Sequence, residues 1–469
     1  MTITIPLNGI KIEDGDYFHR QHVRCLAKYL RRKNPETGDP DITKNVREGV
    51  DGQPLPAIAG VDPQDLARAG WGVIFPEHQA DRLRPLVREL LQVREAQADG
   101  LYRELTYRPG ETSFEFLERY KGSTVIVDPK RIPFHLLIVG DPTTIPFAFQ
   151  YNLALPHSVG RLWFDDPQSY QRYTANLLRA EARDTEKPRM RFWGPKHVGD
   201  PCTKLSRQIL IDDLALDLAS ELGDKARFCA KLPPNKQELL DMLGGATTPE
   251  VLFTASHGLV CRADHPNLRD YQGALLCGDW PGPELAKGQP LAESHYLSAD
   301  HIADDAQCNG LLVFMFGCFS GGCPQFDNFP TSPERTGEPL APHPFLASLP
   351  SRLLALENGC AGVVAHVDCA YFWSFTDLKQ RPQTALYRDC FRRVLEGEPV
   401  GSALNGFNLN FALKDIQYRE QQLKERIFGP HAFPRDDQQL VNLWHAINDS
   451  RNFLLLGDPA FSLKRRSTS

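Results

Sequence analysis

An α/β fold built on a mainly parallel sheet is predicted by three features of the sequence. Short, near-continuous apolar runs recur down the chain, as strands buried on both faces of a parallel sheet require. Between them lie stretches whose apolar residues repeat at helical spacing. Two of the runs, Leu136-Leu137-Ile138-Val139 and Leu454-Leu455-Leu456, stop at the same Gly-Asp-Pro turn, at Gly140-Asp141-Pro142 and Gly457-Asp458-Pro459. That echo fits two related α/β halves, and it fits equally two strand ends that arrived independently at one turn chemistry.

The first seventy residues read as polar and irregular, with a basic run from Arg24 to Lys33 and a turn-rich string from Asn34 to Pro40. The basic run is expected to be a solvated helix end. Ordered α/β structure is predicted from near Gly70: a strand at Trp71–Phe75, then a helix carrying Leu83, Leu86, Val87, Leu90 and Leu91. Phe134–Val139 is a doubly buried strand, Ser158–Phe164 another, and Tyr170, Tyr173, Leu177 and Leu178 share a helical face. A charged, Pro-terminated stretch from Asp184 to Pro188 marks a boundary.

Beyond it the alternation restarts: strand Met190–Trp193, helix Leu205–Leu222, strand Ala226–Leu232, helix Lys236–Leu243, strand Val251–Ala255. Leu311–Phe316 supplies the next strand and Ala361–Ala365 another, reached through a helix around Phe345–Leu356. From Asp377 the chain reads as mostly helical until the strand at Phe453–Leu456. The expected organisation is an N-terminal extension over 1–69, a first α/β half over 70–188 and a second over 189–469.

At 469 residues, 41% apolar and 24% charged, the chain can bury a large core without disulfide or metal staples. A net charge of −6 argues against a basic nucleic-acid platform. The longest apolar stretches fall short of the roughly 18 residues a spanning helix needs, and Met1–Pro6 has no signal-like h-region. Eleven cysteines without framework spacing suggest thiols kept reduced. A cytoplasmic protein with no membrane and no direct nucleic-acid partner is expected.

Reacting groups in open parallel sheets collect beyond the carboxyl ends of the strands. Two strand ends here carry them: Val251–Ala255 runs into Ser256-His257-Gly258, and Leu311–Phe316 into Gly317-Cys318-Phe319-Ser320-Gly321-Gly322. If the strands are neighbours, an imidazole meets a thiol across one crevice, the minimum for covalent acyl transfer. Gly258 lets backbone approach a carbonyl, so its N–H and that of Cys318 can form an oxyanion hole. Gly317 keeps the nucleophile on a tight turn. No phosphate loop, zincin helix or serine-hydrolase elbow occurs. The Cys318 and Cys323 spacing is wrong for a zinc half-site. No metal and no cofactor are expected.

Taken in order, Val251–Gly258, Tyr296-Leu297-Ser298-Ala299-Asp300-His301-Ile302 and Leu312–Gly322 resemble the catalytic half of caspase-fold (clan CD) cysteine peptidases of the CHAT and gingipain type. Leu136–Asp141 with Ile145-Pro146, Val159–Leu162, and the closing Phe453–Ala460 are similar to other parts of that fold, so the resemblance spans about Gly70 to Leu463. It implies a caspase-like three-layer sandwich in two related halves, the first noncatalytic and the second catalytic. It implies His257 as general base and acid, Cys318 as nucleophile, and a protein or peptide substrate. Phe316 departs from the pattern, standing where some relatives with a basic preference carry an acid. The run from Val363 to Trp373 falls where such enzymes wall the primary specificity pocket, so Asp368 is a candidate for selecting Arg or Lys. A helix cap or a surface partner is the other role open to Asp368. Phe372 and Trp373 are candidates for an apolar subsite. The long polar segment Cys323–His343 is expected to cover the cleft or be cut on activation.

The resemblance further implies a regulated protease of a bacterial defence or cell-death pathway, switched on by an activating partner or ligand. A catalytically silent binding or scaffold protein, and an amidase using the same dyad, stay open beside it.

Overall fold

In the computed structural model the described residues are 4–6, 9–32, 62–124, 126–230, 233–286, 288–328, 330, 332, 335–376, 381–432 and 436–463. Ten strands form one sheet: β1 (Trp71–Pro76), β2 (Tyr102–Tyr107), β3 (His135–Val139), β4 (Ser158–Leu162), β5 (Arg189–Trp193), β6 (Arg227–Cys229), β7 (Val251–Ala255), β8 (Leu312–Phe316), β9 (Gly362–His366) and β10 (Phe453–Gly457). Their spatial order is β2-β1-β3-β4-β10-β9-β8-β7-β5-β6. Every neighbouring pair is parallel except β9 and β10. Two parallel blocks of five strands therefore run in opposite directions and meet at one antiparallel seam. The expected α/β class and mainly parallel sheet are what the structure has, with helices packed around it.

The expected strands all form, and β3, β4, β7, β8, β9 and β10 are buried at every residue. That is why most of them read as near-continuous apolar runs rather than alternating ones, β4 with its buried Ser158 and Arg161 being the exception. The helix predicted after β1 forms in pieces, Ala80–Leu83, a 3-10 turn at Arg84–Val87, then Arg88–Ala98, broken where Pro85 withholds its N–H. Tyr170, Tyr173 and Leu177 are the buried face of the helix Pro167–Glu181, with Leu178 at its margin. The helix expected from Leu205 starts earlier, at Pro201, because Asp200 caps it and proline suits its first position.

Strand β10 joins the two blocks. Its Gly-Asp-Pro turn buries Asp458, whose carboxylate accepts from Trp71 Nε1 at 3.1 Å and from Arg94 Nε at 2.9 Å. Arg94 also pairs with Glu181 at 2.5 Å. The two carboxylates hold the buried guanidinium charged against the penalty of burial. Residues from three distant stretches are thus fixed at one end of the seam.

The first seventy residues differ from expectation. Val23–Arg32 is a helix with Val23, Leu26, Ala27 and Leu30 buried, so its basic residues are one face of an amphipathic element. Arg31 on it pairs with Glu425 at 2.5 Å and Asp437 at 2.6 Å. Gly9–Lys11 is a strand in a second sheet of order Tyr296–Leu297, Leu275–Leu276, Gly258–Val260, Gly9–Lys11. Its three residues carry too little pattern to be read locally. Lys33 and the string Asn34–Pro40 lie outside the described residues.

Candidate active site

Strands β7 and β8 are parallel neighbours in a register that pairs Ala255 with Phe316. Their carboxyl ends therefore release Ser256-His257 and Gly317-Cys318 side by side, and Ser256 N–H still donates to Phe316 O at 3.0 Å. The His257 backbone is tied by Leu276 N–H to His257 O at 3.0 Å, and Ser256 Oγ donates to Leu276 O at 2.5 Å. Gly258 sits hard against the Cys318 backbone: a Cβ there would fall 1.8 Å from Cys318 O and 2.9 Å from Cys318 N. Only a residue without a side chain allows that approach.

The loop carrying Cys318 is pinned to the next strand. Phe319 N–H donates to Asp368 O at 2.8 Å, Gly321 N–H to His366 O at 2.7 Å, and Ser320 Oγ to Gly317 O at 2.8 Å. Phe319 takes a left-handed φ of 57° and Asp368 one of 98°, so both sides of the contact depart from regular strand geometry. Ala370 N–H donates to Cys318 Sγ at 3.2 Å. A second thiol, Cys369, is hydrogen-bonded to Cys318, and that contact, with burial, holds Cys369 well above the ordinary thiol range.

His257 is oriented by a residue the sequence reading missed. Its Nε2 donates to Asp200 Oδ2 at 2.7 Å, and both side chains are fully enclosed. Asp200 also accepts from Tyr17 OH at 2.6 Å, Cys202 N–H at 3.1 Å, Thr203 N–H at 3.2 Å and Thr203 Oγ at 2.5 Å. Burial opposes its ionisation, but the His257 charge and the hydrogen bonds of His197, His257 and Thr203 outweigh burial and hold the carboxyl well below the usual carboxylate range. Burial and the same carboxylate push Tyr17 up, so its hydroxyl stays a donor. Tyr17, His197 and Trp280 surround the imidazole at ring distances of 5.9, 6.5 and 6.4 Å. A signal for Asp200 was present: Gly199-Asp200-Pro201 repeats the triplet that ends two strands and stands also at Gly38-Asp39-Pro40.

The remaining candidates take varied places. Gly317 begins the nucleophile turn. Asp368 is 1% exposed, with Cys369 N–H on Oδ1 at 2.8 Å and Asn328 Nδ2 on Oδ2 at 3.4 Å. Burial and neighbouring Asp327 push its carboxyl up to about 7. Phe372 and Trp373 lie on a 3-10 turn, Phe372–Phe375, three positions beyond Cys369. Phe316 packs with His366 and Phe375, away from the thiol loop. Among the described residues no cluster of three His, Cys, Asp or Glu side chains could hold a metal, and no helix is long and apolar enough to cross a membrane. None of the eleven cysteines is in a disulfide.

Among known proteins, no family model matches the chain and no curated protein matches it. Two solved structures share part of its architecture. One is a protease at 9% identity and a TM-score of 0.46, matched over 84% of this chain and 78% of its own. The other is the Saccharomyces cerevisiae separase–securin complex, at 12% identity and a TM-score of 0.31 over 70% of this chain. This chain spans only 15% of that second one. At such identity and overlap neither likeness assigns an activity to this chain.

Proposed function

We propose that this chain is a caspase-fold cysteine endopeptidase of the CHAT and gingipain type, with Cys318 as nucleophile, His257 as general base and acid, and Asp200 holding the imidazole. The observation that carries the reading is His257, fixed by a buried carboxylate at 2.7 Å, at the end of a strand in register with the one that delivers Cys318. In the reaction, His257 takes the thiol proton and the thiolate attacks the peptide carbonyl. The Gly258 and Cys318 N–H groups receive the oxyanion. His257 then protonates the leaving amine, and water, activated by the same imidazole, releases the acyl group from sulfur. Asp200 stays ionised and keeps the proton-bearing Nε2 turned toward itself, which assigns Nδ1 to the chemistry.

Asp368 and the turn carrying Phe372 and Trp373 follow directly on the strand beside the thiol loop, a location that supports their role as the wall of the primary pocket. An Arg or Lys side chain of the substrate would displace Asn328 from Asp368 and draw its carboxyl into the ionised form. A regulated role, in a cytoplasmic defence or cell-death pathway, accords with a nucleophile and base that are both 0% exposed.

The test is digestion of a diverse peptide mixture by wild type and by Cys318→Ala, every new terminus being read by mass spectrometry. Cleavage with wild type that is lost in the variant is expected. The same products from both proteins would remove Cys318 from the mechanism.

A further inference from the structure

Cys318 and His257 are both 0% exposed, and the chain's own N-terminal segment lies against the thiol and against the carboxylate that holds the imidazole. Gly9–Lys11 runs parallel to Gly258–Val260, pairing Gly9 with Gly258, Ile10 with Leu259 and Lys11 with Val260. It then folds back. Gly15 N–H donates to Lys11 O at 2.9 Å, Lys11 N–H to Asp16 O at 2.9 Å, and Phe18 N–H to Gly9 O at 2.7 Å, closing a hairpin from Gly9 to Phe18.

Each part of the hairpin touches the machinery. A Cβ on Gly9 would stand 3.8 Å from Cys318 Sγ, so the backbone of Gly9 itself forms a cover over the thiol. Tyr17 reaches the far side of the Asp200 carboxylate. The Phe18 ring packs edge-on to Phe319 at 6.2 Å, and the guanidinium of Arg335, from the long segment after Cys318, lies 5.2 Å over the Phe18 ring. Without the hairpin, Gly258–Val260 would be a sheet edge starting at the proposed oxyanion donor. Unpaired strand edges take up extended peptides by strand addition, with main-chain hydrogen bonds giving the affinity.

We infer that the Gly9–Phe18 hairpin is an intramolecular plug, seated on the strand edge and thiol that an extended peptide substrate would use, and that turnover requires its departure. The inference rests on the reading of Cys318 as the nucleophile. Seating is made by main-chain pairing with Gly258–Val260, by the N–H groups of Gly288 and Leu291 on Asp14 O and Ile12 O, by the Tyr17 hydroxyl, and by Phe18 and the fully buried Ile10. Departure of the plug therefore requires a competing chain on the same strand edge or a cut beyond the hairpin.

Two full-length variants test this, Gly9→Trp and Tyr17→Phe. The first cannot keep the close approach, since even a Cβ there meets Val260 Cγ2 at 2.8 Å and Phe18 Cβ at 3.1 Å. The second removes one hydroxyl and no volume. Site-resolved alkylation of Cys318 by iodoacetamide reports access, peptide cleavage reports turnover, and circular dichroism identifies variants that keep their fold. Cys318 is expected to be protected in wild type and to react about tenfold faster or more in each folded variant, the effect of one charge-assisted hydrogen bond, with cleavage rising in step. Wild-type Cys318 reacting like an open thiol, or protection unchanged in both folded variants, would overturn the plug. Faster alkylation with no cleavage by any variant would support the plug and overturn the peptidase reading instead.

Discussion

Asp200→Asn acts at the point where most hydrogen bonds of the candidate site converge. Oδ1 accepts from Tyr17 OH and Cys202 N–H; Oδ2 accepts from Thr203 N–H, Thr203 Oγ and His257 Nε2. All five partners are donors, and an amide must turn its own NH2 toward one set of them. The hydroxyls of Tyr17 and Thr203 can rotate to accept, but a backbone N–H cannot. Either orientation therefore orphans Cys202 N–H or Thr203 N–H, at a cost of about 1–3 kcal/mol, and weakens the bond to His257 by about 1.5–3 kcal/mol through the lost charge. A stability loss of about 2–4 kcal/mol by urea unfolding is expected. The imidazolium formed during attack loses the same charge, so cleavage should fall about a hundredfold, with KM little changed. In the Gly9→Trp background, where the thiol is reachable, Cys318 should alkylate more slowly, because the base beside it is held less firmly. An unchanged alkylation profile together with unchanged cleavage would refute Asp200 as the residue that positions His257.

Three further outcomes follow from the same geometry. Gly258→Ala places a methyl 1.8 Å from Cys318 O, against backbone that cannot yield, so peptide cleavage should drop by about two orders of magnitude or more, with a lower urea midpoint. Arg94→Ala strips the cation from buried Asp458 and Glu181 and should cost about 3–5 kcal/mol in urea unfolding, while Arg84→Ala on the surface should cost under about 1 kcal/mol. Asp368 has a folded value of about 7, above the roughly 4 of an unfolded Asp, so the folded state holds the extra proton between those values and wild-type stability falls as pH rises through that window. Asp368→Asn lacks that slope. Its melting temperature relative to wild type should improve between about pH 5 and pH 8, and parallel curves would show that Asp368 does not titrate there.

The parts of the site that could be read in the sequence are those announced by their own neighbours. His257 and Cys318 stand directly after five-residue runs buried throughout, and a run with its following turn is local information. Asp200 was hidden because it caps a short helix in a polar loop, 57 positions from the imidazole it holds. Only its Gly-Asp-Pro turn linked it to the other strand ends. Gly9 and Tyr17 gave no signal, since a three-residue edge strand has neither the length nor the alternation by which a strand is recognised. Arg24 to Lys33 was read by its charges as a solvated helix end, whereas Val23, Leu26, Ala27 and Leu30, at helical spacing, bury the other face of the helix Val23–Arg32.

The sequence by itself determined nine of the ten strands of the large sheet, the turn chemistry and the two reactive side chains, because burial on both faces leaves a composition that a window of five or six residues displays; β2, a half-exposed edge strand, was missed. Tertiary structure alone decided that β7 and β8 are neighbours in register, that Asp200 completes the contact to His257, and that the N-terminal hairpin closes over Cys318. Those pairings join residues far apart in the chain. They are set by the order of strands in the sheet, which depends on how the whole apolar surface is buried at once and on no single segment.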